Sequence, residues 1–154
     1  RDRDYIKIGV QRVIMGTSAI ESPEVLKEFS NSYPNQVVLG IDALDGKVKT
    51  EGWLKESDIT PKDLIAVFEG LPIAAIIFTD ISKDGMMSGP NFEATSSLAK
   101  VTEIPVIASG GVSTLSHIKK LSEDKLIYGA ICGRALYEKV FTYAEAVKTA
   151  ESGS

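Results

Sequence analysis

Val106-Ile107-Ala108-Ser109-Gly110-Gly111-Val112-Ser113 is the stretch on which the reading of the fold turns. An apolar run of buried character stops at a serine and two glycines, and the chain then enters the helical pattern "STLSHIKKL" (Ser113–Leu121). Adjacent glycines lose more conformational entropy on folding than any other pair, so something must require them. A plain tight turn is one reason. The other is an anionic group that comes close to bare backbone N–H groups at a helix start.

Working outward, the same alternation recurs along the chain. Apolar runs at 12–16, 36–42, 74–80, 104–109 and 126–133 read as strands. Amphipathic segments at 22–33, 60–70, 91–102, 113–122 and 142–152 read as helices, with Ser22, Thr60 and Asn91 as caps and Pro23 and Pro61 at first helical positions. Asp45-Gly46 suits a turn with positive φ and marks a small β-excursion. Strands this rich in Val, Ile and Ala are expected to be buried on both faces, as in a parallel α/β sheet. No linker or low-complexity stretch interrupts the pattern, so residues 1–154 read as part of one domain. "RVIMGTSA" and "GAICGRAL" echo each other, with Gly16 and Gly133 in equivalent positions, which suggests two similar halves.

Bulk composition narrows the function classes. The 154 residues are 44% hydrophobic and 25% charged, an ordinary globular balance. A net charge of -4 without a basic run argues against nucleic acid. The single Cys132 excludes an internal disulfide and a multi-cysteine metal site, and reads as inert core. No signal-like or membrane-length apolar run is present, so a cytoplasmic location is expected.

Functional-looking residues gather at strand ends: Gly16-Thr17, Asp42, Thr79-Asp80, Ser109-Gly110-Gly111 and Gly133-Arg134. In a (β/α)8 barrel these ends share the face that carries the active site, and phosphate sits by the last two strands. Two glycine sites on those two strands therefore favour phosphate over plain turns. The short helix that "RALYE" would open adds its dipole. Asp42 is the candidate acid or base, or else a brace for the Asp45-Gly46 loop. Thr79 and Asp80 suit either substrate hydroxyls or turn capping. Trp53 suits stacking on a planar heterocycle or packing over a helix. His117, inside a helix, reads as a surface residue.

Taken together, "GVQRVIMGTSA", "GIDALDGKVKTEGW", "TDISKDGMMSGPN", "PVIASGGVS" and "GRALYE" resemble, in order and spacing, the histidine-biosynthesis isomerase family. That family acts on N′-((5′-phosphoribosyl)formimino)-5-aminoimidazole-4-carboxamide ribonucleotide. The resemblance runs from about Gly9 to Val147 and implies strands four to eight of a (β/α)8 TIM barrel. It implies an Amadori-type aldose–ketose isomerisation of a substrate phosphorylated at both ends, with neither metal nor organic cofactor. Asp42 matches the general acid, Thr79 a threonine that assists proton transfer with Asp80 beside it, and Trp53 the stacking aromatic. Ser109, Gly110, Gly111, Gly133 and Arg134 fall in one phosphate cradle; Gly16 and Thr17 match part of the other. The segment Asp42-Ala43-Leu44-Asp45-Gly46-Lys47-Val48, with Gly52-Trp53, separates this family from the related imidazole glycerol phosphate cyclase, which needs an ammonia-supplying partner. A phosphate-binding half-barrel scaffold that has lost the reaction is the non-enzymatic alternative. The first three strands, with the aspartate that serves as base, are expected in the same protein outside these residues, and this segment alone is expected to be inactive.

Overall fold

The computed structural model describes residues 12–16, 21–50, 55–56, 58–84, 87–133 and 141–153. Strands and helices alternate as β1 (Val13–Met15), α1 (Pro23–Ser32), β2 (Val37–Leu44), a two-strand excursion β3 (Lys47–Thr50) and β4 (Lys55–Glu56), then α2 (Pro61–Phe68). They continue as β5 (Ala75–Asp80), α3 (Phe92–Lys100), β6 (Val106–Ser109), α4 (Leu115–Glu123), β7 (Ile127–Ala130) and α5 (Tyr143–Gly153). The strands β1, β2, β5, β6 and β7 pair in that order, every pair parallel. Helical crossovers are what join parallel neighbours, since a two-residue turn cannot return the chain to the same end.

Local signals set the helix starts. Thr60 Oγ1 accepts from Asp63 N at 3.2 Å, and Asn91 Oδ1 from Ala94 N at 3.0 Å. Ser22 occupies the cap position of α1 without a side-chain capping bond, and Pro23 supplies the start instead. At the end of α2, Gly70 adopts φ +85°, the left-handed conformation that stops a helix cheaply only at glycine.

Helices α1 to α4 pack on one face of the sheet, and α5 packs against α4. Val37, Leu39, Ile41 and Ala43 of β2, with Ile76 and Phe78 of β5, pack on Leu26, Phe29, Leu64, Ile65, Phe68 and Leu98. A second cluster joins Ala108 and Val112 to Ile118, Leu121 and Phe141. Burial of each large side chain here contributes about 1.5–3 kcal/mol. The opposite face is mixed: Val38, Ala75 and Thr79 are buried there, whereas Ile77 and Ile107 are half-buried and Ile14 is 63% exposed.

The second strand also runs longer than its apolar stretch. Asp45 (φ +51°) and Gly46 (φ +78°) form the expected turn, and the antiparallel ladder to β3 carries β2 on to Leu44. Asp42 therefore lies within the strand, two residues before its end.

Candidate active site

Residues paired laterally in a parallel sheet project to the same face, and successive residues to opposite faces. Asp42 pairs with Thr79, and Thr79 with Ser109. These three side chains thus form one polar row on the helix-free face, near the C-terminal ends of β2, β5 and β6. Beneath it runs a row of Gly40, Ile77, Ile107 and Gly129. Thr79 is buried, whereas Asp42 and Ser109 are half-buried. Lys49 stands directly opposite Asp42 on β3, so an ammonium group shares the carboxylate's side of the ladder. Sequence reading passed over Lys49; the hairpin register is what brings it in.

Asp80, one residue beyond Thr79, leaves this row. Its carboxylate accepts from Asn91 Nδ2 at 2.8 Å, Ser82 Oγ at 2.7 Å and Ser82 N at 3.0 Å. Desolvation raises its pKa, but these bonds and nearby Lys83 outweigh that and hold the carboxyl below its ordinary value. Asp80 thereby braces the β5 loop and the start of α3. It also borders a cavity of about 260 Å³ on the helical side, near Lys62, Phe78 and Leu98, which includes neither Asp42 nor Thr79.

A smaller cavity of about 100 Å³ sits at the ends of β6 and β7, lined by Ser109, Gly110, Gly111, Val112 and Ser113 with Ile131 and Gly133; Asp84 and Met87 also line it. Gly110 (φ +88°) and Gly111 (φ +82°) are both left-handed. An added Cβ on Gly111 would lie 2.6 Å from the Gly89 carbonyl oxygen and 2.8 Å from that of Lys83. Gly89 N in turn donates to Gly111 O at 3.0 Å. The pair is therefore demanded by the interlock of the β6 loop with the β5–α3 loop, a third reason that the sequence alone did not offer. At Gly133 an added Cβ would meet nothing described within 4 Å, and at Gly16 only Gly40 O at 3.5 Å, an ordinary contact.

His117 is not the surface residue that its helical setting implied. Its Nδ1 accepts from Ser113 N at 3.1 Å and Thr114 N at 3.2 Å, while His117 N donates to Thr114 Oγ1. The signal was available as Thr-x-x-His, a capping box with imidazole in place of the usual Glu or Gln. Cys132 is half-buried, and burial pushes its thiol pKa up, which makes it a poor nucleophile. Thr17, Trp53 and Arg134, with the short helix that Arg134 would open, lie outside the described residues. Among the described residues no helix is long and apolar enough to cross a membrane.

Residues 2–142 match the family model described as histidine biosynthesis protein. The chain belongs to the histidine biosynthesis protein family. The one-sided helices and parallel sheet are accordingly those of a partial TIM barrel. Similar relatives include a protein of Cereibacter sphaeroides, 48% identical over 145 residues, which cover 94% of this chain and 61% of the relative. One of Geobacter sulfurreducens is 48% identical over 151 residues (97% and 62%), and one of Prochlorococcus marinus 45% over 150 (96% and 59%). Each is named as a 1-(5-phosphoribosyl)-5-((5-phosphoribosylamino)methylideneamino) imidazole-4-carboxamide isomerase. The chain thus spans about three-fifths of the length of these histidine biosynthesis relatives.

Proposed function

We propose that the protein to which these residues belong catalyses the Amadori-type isomerisation of the aminoaldose N′-((5′-phosphoribosyl)formimino)-5-aminoimidazole-4-carboxamide ribonucleotide to its aminoketose, without metal or organic cofactor. The observation that carries this reading is the row Asp42, Thr79 and Ser109 at the C-terminal strand ends. In a barrel of this kind that end holds the active site. The relatives' names support isomerisation rather than ring closure.

Asp42 would protonate the ribose ring oxygen, and the ring would open to a Schiff base. A second carboxylate would take the C2 proton, leaving an enol-amine that ketonises. By the family resemblance that carboxylate belongs to a strand preceding the five parallel strands β1, β2, β5, β6 and β7. Two proton-transfer groups suffice because the substrate nitrogen is itself the electron sink. Thr79 Oγ1, beside Asp42, is suited to steer the transferred proton, and the cavity at Gly110, Gly111 and Gly133 to hold one phosphate. Binding energy from that remote group would keep the sugar aligned between the two acids.

Asp42→Asn in the complete protein tests the assignment. We expect kcat to fall by about 10²–10⁴, with substrate affinity kept within about tenfold, because only the transferable proton is lost. Retention of more than about a tenth of wild-type kcat would remove Asp42 from the acid role. A complete protein that binds substrate but never turns it over would favour the phosphate-binding scaffold.

A further inference from the structure

One side chain ties together both loops around the small cavity. His117 Nδ1 accepts the amides of Ser113 and Thr114, which follow the glycine pair after Val112. Ser113 is 1% exposed and its Oγ donates to Met87 O at 2.8 Å, which fastens the β6 loop to the β5–α3 loop. The far side of the imidazole lies on Gly89, where a Cβ would come within 3.0 Å of Nε2. With Nδ1 accepting two N–H bonds, the ring proton must be on Nε2.

We propose that His117 is a positioning residue of the oxyanion cradle: its unprotonated Nδ1 fixes the Ser109–Thr114 loop in the conformation that binds a phosphate group, so ligand affinity follows the ring's charge. The inference rests on the cradle reading above. Protonation would turn Nδ1 from acceptor to donor. Two backbone N–H groups would then face an N–H, and the hydroxyl oxygen within hydrogen-bond distance of Nδ1, Ser113 Oγ at 3.2 Å, is itself engaged with Met87 O. The loop must rearrange.

Burial first, and then Lys120 on the same helix, hold the imidazole pKa below its ordinary 6.5. Other ionisable groups in the packed elements are Lys83 and Asp84 of the β5–α3 loop, Glu93 and Lys100 of α3, whose Phe92 ring meets the imidazole edge-on at 6.1 Å, Lys119 and Glu123 of α4, and Glu145, Lys148 and Glu151 of α5. A depressed pKa means that the neutral, loop-fixing form is fully present above about pH 6.5 and is lost as pH falls through the lowered value.

The test uses sulfate, which keeps both charges across the range, titrated into the full-length protein between pH 7.5 and 4.5, with the Ser113 and Thr114 amides followed by NMR. In the wild type, both amides should titrate together and sulfate affinity should fall by at least about fivefold. His117→Gln restores a neutral acceptor at the same capping-box position, so its amides and affinity should stay flat with pH. His117→Ala should bind sulfate more weakly throughout. Wild-type affinity that tracks the Gln variant's at every pH would overturn the proposal while leaving the cradle intact. Amides that titrate without sulfate binding at any pH would overturn the cradle reading, and the proposed coupling with it.

Discussion

An added Cβ at Gly111 would collide with two carbonyl oxygens, at 2.6 and 2.8 Å, whereas one at Gly133, at the end of the neighbouring strand, would meet no described atom within 4 Å. Both glycines border the same cavity. At Gly111 the fold itself forbids a side chain, because two loops interlock there through left-handed backbone. At Gly133 neither described packing nor positive φ makes that demand. In sequence the two sites look alike; only the first is explained by folding. The second is therefore the better witness for a ligand.

The largest expected effect lies on the folded side of this contrast. Gly111→Val combines left-handed strain of about 1–3 kcal/mol with overpacking of about 1–3 kcal/mol. At 2–4 °C per kcal/mol, Tm should drop by roughly 4–24 °C. Thermal unfolding in the complete protein measures it, and a change under about 2 °C would mean that the loops do not interlock. Gly110→Val belongs to the same class, with Thr79 Cγ2 at 3.1 Å and Asp80 O at 3.3 Å. Loss of phosphate binding in either variant would therefore say nothing specific about the ligand.

Much of the architecture was legible because burial writes itself into composition. The Val- and Ile-rich runs of β2, β5 and β6, and the Pro and Thr or Asn signals before α2 and α3, are local, so they survive without tertiary context. The site was legible only in part. Asp42 and Thr79 are distant in sequence, and only the lateral register of β2 on β5 brings them side by side. Lys49 enters through a hairpin register, which no periodicity specifies. His117 departs from the surface setting its sequence implies because a polar residue on a helix is usually solvated, whereas here the first turn abuts Gly89 of another loop. Asp80 and Thr79 are adjacent in sequence, yet strand alternation turns them to opposite faces.

A smaller effect is expected at Asp80, which holds the β5 loop without touching the polar row. Its carboxyl pKa is depressed, so its charged form contributes stability above the ordinary value near 3.9, lost as pH falls through the lowered one. Partial exposure screens the bonds, so Asp80→Asn should cost less than about 1 kcal/mol at pH 7. The difference from wild type should shrink to nothing in strong acid. A penalty that stays constant from pH 7 to pH 2 in chemical denaturation would mean that charge is not what Asp80 contributes.

The smallest effect on stability, and the most telling contrast with Gly111, is expected at Gly133. Its φ lies outside the left-handed region and no described atom approaches the Cβ position, so Gly133→Ala should change folding stability by no more than about 0.5 kcal/mol. A methyl group there would nonetheless project near a cavity of only about 100 Å³. If a phosphate group sits between the β6 and β7 ends, one methyl should lower phosphate affinity by about tenfold, the 1.4 kcal/mol of one imperfectly seated charged group. Calorimetric titration of the full-length protein, paired with its unfolding curve, reads both quantities on one sample. Unchanged affinity in an equally stable variant would return Gly133 to an ordinary chain bend and move the ligand towards Ser109 and Gly110. Lost affinity at undiminished stability would separate the two glycines by function, which their shared place after an apolar strand run cannot do.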